Sequence, residues 1–241
     1  MKKPATRKHD ALLADALEAL AAKGLPAAIS TITSSNDPED AGVVFVELGK
    51  RLYRDRKDVS GMIASGEAGV EFCLQGVKRA PGSELAGKLK KIAKVIAFNT
   101  ATNCWPGWGD DGVRIERAHL QSALTFAAVC RDLVDELQLG PKEVGNAHWL
   151  LGALKLASGE STEASREFQR AQQAFDAGGL AAYALMTRGY DALARKAEAK
   201  SAADGSSDLA TALKQLRDEG SNDATFFADQ IAIAEKILLA R

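Results

Sequence analysis

Apolar residues recur at three- and four-residue intervals through almost the whole chain, whereas strand-like alternation of β-branched residues is nearly absent. This periodicity is typical of amphipathic helices packed on one another, so the sequence predicts an all-α fold. Residues 27–36 are the one exception, because the run Ile29-Ser30-Thr31-Ile32-Thr33 is also compatible with a short extended segment.

Capping and breaking residues divide the helical pattern into separate elements. Asp37 precedes Pro38, and this pair is a strong signal for a helix start. Proline has no amide hydrogen, but in the first turn of a helix that hydrogen has no partner within the helix. Gly24 and the Gly140-Pro141 pair are typical helix ends. These signals, with caps at Asp10, Asp58, Ser83 and Asp223, predict helices near 10–24, 38–56, 58–79, 84–102, 113–139, 142–158, 161–176, 180–200, 208–218 and from 223 onward.

Two stretches are predicted to be non-helical. Residues 103–112 contain Trp105-Pro106-Gly107-Trp108, which indicates an ordered turn, and residues 203–207 read as a short break before another helix. Four glycines in the 58–79 segment make its continuity doubtful, and we expect them to permit close helix packing rather than to form a ligand loop: Gly61, Gly66, Gly69 and Gly76.

A family resemblance is found in the second half of the chain. Trp149 and Leu151-Gly152 are followed, at the spacing of a helix–turn–helix repeat, by a turn glycine and by small and aromatic residues: Gly159, Ala164, Phe168 and Ala171. This segment resembles the tetratricopeptide repeat, with its W-x2-L-G and A-x3-F signatures. Three positions depart from the pattern: the aromatic stands one residue late at Trp149, and Lys155 and Asp176 occupy the usual tyrosine and proline sites.

A weaker match at residues 42–79 includes Phe45, Leu48 and Gly49, and Gly49 lies 103 positions before Gly152, close to three 34-residue periods. The resemblance implies one domain over residues 1–241, made of antiparallel hairpins stacked in a right-handed superhelix. Its best repeat would span 145–178, with longer helices in the middle, a capping C-terminal helix and a flexible segment at 1–9. Another all-helical bundle is the alternative.

The resemblance also implies a function, because tetratricopeptide proteins bind peptides or protein partners along the groove lined by each repeat's first helix. The groove positions would be Lys50, Tyr53 and Arg54 in the early unit, and Asn146 and Trp149 in the later one. Lys50 and Arg54 are one helical turn apart and would together hold a carboxylate, although a solvated helix face has the same spacing.

The tryptophan loop is a second candidate site. Trp105 and Trp108 precede Asp110 and Asp111, a combination that can stack on an aromatic or cationic ligand. In the structural interpretation, which we favour, both tryptophans fill the junction between two helices, and Asp111 caps the helix that begins near Val113. The carboxylates lack the alternating pattern of a calcium loop.

Composition narrows the function further. The net charge of -1 offers no field for polyanions, so nucleic acid is not expected as a partner. Three widely spaced cysteines fit reduced, buried thiols, and no leader or membrane segment is expected, so we predict a soluble cytoplasmic protein. His119 and His148 lack zinc-site spacing, and catalytic or nucleotide motifs are absent, so neither a cofactor nor a metal is expected. A non-catalytic protein is favoured, and the alternative is a small-molecule-binding protein or an enzyme with its site at the Trp105/Trp108 loop, because distant carboxylates can converge in three dimensions. Homodimerisation through a terminal helix remains an option.

Overall fold

The computed structural model describes residues 8–198 and 202–239, and in this part of the chain it contains eleven α-helices, one 3₁₀ turn and no strand. The all-α prediction is confirmed. The helices are α1 Lys8–Lys23, α2 Leu25–Thr33, α3 Pro38–Arg54, α4 Val59–Arg79, α5 Glu84–Asn103, α6 Arg117–Glu136, α7 Pro141–Ala157, α8 Ser161–Ala177, α9 Ala181–Ala197, α10 Ala202–Glu219 and α11 Asn222–Leu239, and the 3₁₀ turn is Pro106–Trp108.

The chain divides into two compact units, residues 1–100 and 101–241. Organisation as a single domain stays a prediction, and each unit is described by itself. Most of the N-terminal segment predicted to be flexible, residues 1–7, lies outside the described residues. Lys8 and His9 belong to the first turn of α1.

In the first unit, glycines of α4 allow neighbouring helices to approach closely, as predicted. A Cβ on Gly69 would lie 2.9 Å from the Cβ of Phe45 in α3, and a Cβ on Gly76 would lie 2.5 Å from the side chain of Leu89 in α5. Helix α4 is continuous despite its glycines, and Asp58 caps it by accepting a hydrogen bond from the Gly61 amide (2.8 Å). Tertiary packing therefore outweighs the low helix propensity of glycine here.

The extended alternative for residues 27–36 is wrong, because α2 covers this run. Thr31 Oγ1 donates to the Ala27 carbonyl one turn earlier (3.0 Å), and Ala28 and Ile32 point into the core with no exposed surface. Burial of the apolar face formed by residues at i and i+4 stabilises the helix by more than the low helix propensity of the β-branched residues destabilises it.

Two helix boundaries in the second unit also differ from the sequence prediction. Helix α6 begins at Arg117 rather than near Val113, because Glu116 is the N-cap and shares a capping box with His119. Asp111 is therefore not its cap. Residues 203–207 are helical within α10, because Gly205 is the point at which this helix meets the backbone of α9 at Lys196.

Equivalent buried positions recur every 41 residues along α6, α8 and α10. The first of them is always small: Ala123, Ala164 and Gly205. The others follow four, seven and eleven residues later, as Ala127, Cys130 and Val134 in α6, Phe168, Ala171 and Phe175 in α8, and Leu209, Ala212 and Leu216 in α10. These helices are the first helices of three hairpins, α6/α7, α8/α9 and α10/α11. The three hairpins therefore share one pattern of buried positions in their first helix.

The turn between the two helices of each hairpin repeats with the same 41-residue spacing. Gln138, Gly179 and Gly220 follow α6, α8 and α10, and each has a positive φ, of 50°, 67° and 78° respectively. Such a left-handed residue ends a helix and reverses the chain. The 41-residue spacing is longer than the 34 residues of a tetratricopeptide repeat, because the hairpin helices are 17 or more residues long.

Gln138 is the one residue of these three that has a Cβ, and the left-handed conformation strains it. We expect Gln138→Gly to stabilise the protein by up to about 1 kcal/mol. Urea unfolding of the full chain measures this gain. The matched variant Gly179→Ala should have the opposite effect, and stabilisation by both substitutions would contradict the equivalence of the two turns.

Candidate functional site

The early groove residues lie on α3 in the first unit. Lys50 is half-buried and forms an ion pair with Glu47, with 2.7 Å between Nζ and Oε1, and Arg54 is exposed at the end of the helix. Tyr53 is 5% exposed and belongs to the core of the unit. Of the three residues predicted together, Lys50 and Arg54 therefore offer polar groups to a partner at the surface.

The later groove residues lie on α7. Asn146 is half-buried, whereas Trp149 is 6% exposed. The ring centroid of Trp149 is 5.6 Å from that of Trp105 and 6.2 Å from that of Trp108. Trp149, predicted to line the groove, thus lies against the tryptophan loop, although the sequence predicted the groove and the loop as two separate sites.

These side chains belong to an aromatic cluster, defined by Trp105, Trp108, Trp149, Phe168 and Tyr190. Trp105 lies at its centre: its centroid is 5.0 Å from Trp108 and 5.6 Å from Tyr190, both in edge-to-face geometry. Tyr190 in turn stacks on Phe168 with 5.6 Å between centroids. Such aromatic pairs stabilise beyond the area they bury. No sequence pattern singles out Tyr190, because two of its three ring partners, Trp105 and Trp149, are 41 or more residues away.

Specific contacts hold the tryptophan loop in place. Gln230 of α11 donates a buried hydrogen bond to the Gly107 carbonyl (2.7 Å), and Trp108 Nε1 donates to the Thr102 carbonyl (2.7 Å). Gly107 has no room for a Cβ against the Trp105 ring, and Gly109 takes a φ of 68° beside Ile237. The loop therefore packs against α7, α9 and α11, and α7 is the helix that carries the two groove residues predicted in this unit.

Three polar atoms in the aromatic cluster are buried without a hydrogen-bond partner among the described residues: Trp105 Nε1, Trp149 Nε1 and Tyr190 Oη. Burial also raises the pKa of Tyr190 well above its ordinary value. Leaving such a group unpaired costs about 1 to 3 kcal/mol each. Acceptor atoms of a molecule placed among the rings would form hydrogen bonds with these three donors.

The predicted acidic rim lies at the surface. Asp110 and Asp111 are both exposed and directly follow Gly109, and the Asp110 carbonyl accepts a hydrogen bond from the Val113 amide (3.2 Å). The rings of Trp105 and Trp149 are buried, and Trp108 is half-buried. Of the loop's aromatic rings, Trp108 is thus the one that shares the surface with the two carboxylates.

A charged cluster between α7 and α8 was not predicted from the sequence. His148 Nδ1 donates to Glu167 Oε2 (2.8 Å), and Arg170 Nη1 donates to Glu167 Oε1 (2.9 Å). Only 9% of the Glu167 side chain is exposed. The hydrogen bond from His148, followed by charges that include Arg170, holds the pKa of Glu167 below its ordinary value of 4.5. No spacing in the sequence relates residues 148 and 167, which meet only when α7 packs against α8 of the next hairpin.

The lowered pKa of Glu167 predicts a pH-dependent contribution to stability. The carboxylate stabilises the fold above about pH 4.5, its value in the unfolded chain, and this stabilisation is lost as the pH falls through the lower folded pKa. We therefore expect Glu167→Gln to destabilise the protein near neutral pH and to lose this effect in acid. Urea midpoints of both proteins over a pH series provide the measurement. A difference that does not change with pH would contradict the assignment.

A second polar network links α8, α9 and α10. The Ser165 hydroxyl donates to the Asp191 carboxylate, and Arg195 pairs with Asp191 (3.3 Å) and Asp208 (2.6 Å). These residues connect successive helices rather than converge on a cavity with His148.

The remaining candidates take structural positions. Cys73, Cys104 and Cys130 form no disulfide and are fully buried, as predicted, and burial raises the pKa of Cys73 and of Cys104 to about 12. His119 serves the α6 cap. Across the described ranges, no group of three or more metal-ligating side chains occurs. Nor does any helix found there have the length and apolar character needed to span a membrane.

Comparison of the chain with protein-family models, with curated proteins and with solved structures finds no match.

Proposed function

We propose that this protein is a non-catalytic scaffold that binds a protein or peptide partner, with a tetratricopeptide-like arrangement of helical hairpins. The observation that carries the proposal is the 41-residue recurrence of buried positions and left-handed turns in α6 to α11. Repeated hairpins of this kind generate extended surfaces, and proteins built from them commonly bind other chains.

The packing of the tryptophan loop bears on where such a partner would bind. Trp105 of the loop and Trp149 of α7 are both buried and in contact, so the faces of α7 and α9 around them are occupied by the chain itself. On α3, by contrast, Arg54 is exposed and Lys50 lies one turn before it. We place the contact with an acidic group of the partner at this pair. Glu47 already neutralises part of the charge on Lys50, so Arg54 would make the stronger contact.

A peptide array probed with the full chain tests this proposal. Acidic peptides should bind, and the double variant Lys50→Ala/Arg54→Ala should weaken their binding about tenfold. Lys78→Ala/Arg79→Ala is the matched control, because it removes the same charge from two exposed residues of α4. An equal loss of peptide affinity in both variants would show that only the net charge of the protein matters. An array without any bound peptide would count against the scaffold function itself.

A small-molecule site in the tryptophan loop is the second candidate. The three unpartnered polar atoms of the aromatic cluster favour it, because a planar ligand with acceptor atoms would pair with them and stack on the rings. The scaffold is preferred, since admitting such a ligand requires Trp105 to leave a position in which it is 1% exposed.

A further inference from the structure

Helices α7, α9 and α11 are the second helices of the three hairpins, and equivalent residues on them can be aligned. They begin at Pro141, Ala181 and Asn222, so equivalent positions are 40 and then 41 residues apart. One stripe of each helix then corresponds to the others: Gly145, His148, Gly152 and Lys155 in α7, Leu185, Arg188, Ala192 and Arg195 in α9, and Phe226, Asp229, Ile233 and Lys236 in α11.

In α7 and α9 this stripe faces the next helix of the chain. A Cβ on Gly152 would lie 2.7 Å from the ring of Phe168 in α8, and His148 bonds Glu167 of the same helix. In α9, Ala192 is 1% exposed and Arg195 pairs with Asp208 of α10, whereas Arg188 is exposed. Part of the stripe therefore packs against the next helix in both earlier hairpins.

In α11 the equivalent stripe is exposed. Phe226 and Ile233 have 55% and 41% of their surface accessible, and Asp229 and Lys236 are exposed beside them. The tryptophan loop contacts α11 mainly through Gln230 and Ile237. Its Gly109 also lies against Ile233, which keeps 41% of its surface accessible. Large apolar side chains that are exposed together on one helix face are typical of an interaction surface.

We propose that the Phe226–Asp229–Ile233–Lys236 stripe of α11 is a dimer interface, which packs antiparallel on the same stripe of a second copy of this chain. The charges favour this occupant. Asp229 and Lys236 are seven residues apart on one face, so in an antiparallel pair Asp229 of each copy lies opposite Lys236 of the other. One two-fold axis thus produces two ion pairs from two residues.

The apolar residues fit the same register. The midpoint between positions 229 and 236 falls beside Ile233, which places this side chain next to the axis and against its own counterpart. Phe226 then faces the last turn of the other α11, around Leu239, which is half-buried in the single chain. The interface takes the role that α8 has for α7 and α10 has for α9. It is independent of the partner-binding surface proposed on α3.

The size of the stripe limits the strength of the dimer. From Phe226 to Lys236 the helix extends about 15 Å, so a single helix pair is at the small end of specific interfaces. We expect a reversible dimer with a dissociation constant in the micromolar range or weaker, roughly 10 µM. It should therefore dissociate on dilution.

Sedimentation equilibrium of the full chain over a wide concentration range tests the proposal. The wild type should show a monomer–dimer equilibrium, and Phe226→Ser/Ile233→Ser should be monomeric throughout. Val95→Ser is the matched control, because Val95 is the other large apolar side chain found exposed in the described part of the chain, at 39%, and lies in the first unit. A wild type that is monomeric at every concentration, or a dimer that Val95→Ser dissociates and the α11 variant does not, would overturn the proposal.

A charge exchange keeps the test independent of folding. Asp229→Lys and Lys236→Asp each place like charges opposite one another and should weaken the dimer about tenfold or more. The double variant restores opposite charges in exchanged positions and should recover most of the affinity. Failure of the double variant to recover would exclude this register. A wild type that stays monomeric but binds a foreign helical peptide through Phe226 would assign the stripe to another protein, which also overturns the dimer.

Discussion

Replacing Gly205 by alanine should destabilise the second unit by about 3 kcal/mol and lower its thermal midpoint by about 10 °C. A Cβ at this position would collide with the backbone of α9, at the Lys196 amide and 2.8 Å from the Arg195 carbonyl carbon. Backbone atoms cannot move aside as a flexible side chain can. The two helices would have to separate, and the packing of Leu209 and Ala212 behind them would be lost.

The controls separate this clash from the general effect of adding a methyl group to a helix. Gly87 in α5 has no atom within 4 Å of an added Cβ, so Gly87→Ala should stabilise its helix by about 0.5 to 1 kcal/mol. Ser206→Ala alters the exposed residue next to Gly205 and should change little. Thermal unfolding followed by circular dichroism measures all three. A neutral Gly205→Ala would show that α9 and α10 do not approach as closely as described.

Replacing Trp105 by alanine should cost about 3 to 5 kcal/mol, the usual range for removal of a buried tryptophan. The side chain is 1% exposed, and its ring contacts Trp108, Trp149 and Tyr190, so its removal leaves a cavity bordered by three aromatic rings. Urea unfolding and the near-ultraviolet circular dichroism of the remaining aromatic residues measure the loss.

Asp111→Ala is the control for the Trp105 variant, because Asp111 is exposed in the same loop and should contribute almost nothing to stability. If Trp105→Ala retained the stability of the wild type, the loop would not be part of the core. Trp105 would then have to be available for another purpose, such as contact with a ligand.

The sequence was most informative where local chemistry decides the structure. Asp37 and Asp58 cap α3 and α4 as predicted, because a side-chain oxygen that reaches the first amides acts within one turn. Gly24 has the left-handed φ of 83° that its position after α1 indicated. Gly205 was misread as part of a break because its close approach to α9 depends on a helix that the local pattern does not reveal.

The candidate site was less predictable than the fold. Trp105 and Trp149 were each recognised, but a single sequence does not show that residues 44 positions apart share one cluster. Tyr190 and Glu167 were missed because their significance comes from contacts between hairpins. The 41-residue recurrence was also overlooked, since Ala, Phe and Leu replace one another at its positions. It becomes visible only when burial and the left-handed turns are compared.

Trp105 and Trp149 of the aromatic cluster belong to the core, and we propose that a partner binds elsewhere on the chain. All three tryptophans of the chain lie in the aromatic cluster, so intrinsic fluorescence reports on this cluster alone. Titration of the full chain with a library of small metabolites is the most direct test. We expect emission typical of buried indole that no metabolite changes. A saturable change in emission with one compound, abolished by Trp149→Phe in a protein that remains folded, would contradict this expectation and assign the loop to ligand binding.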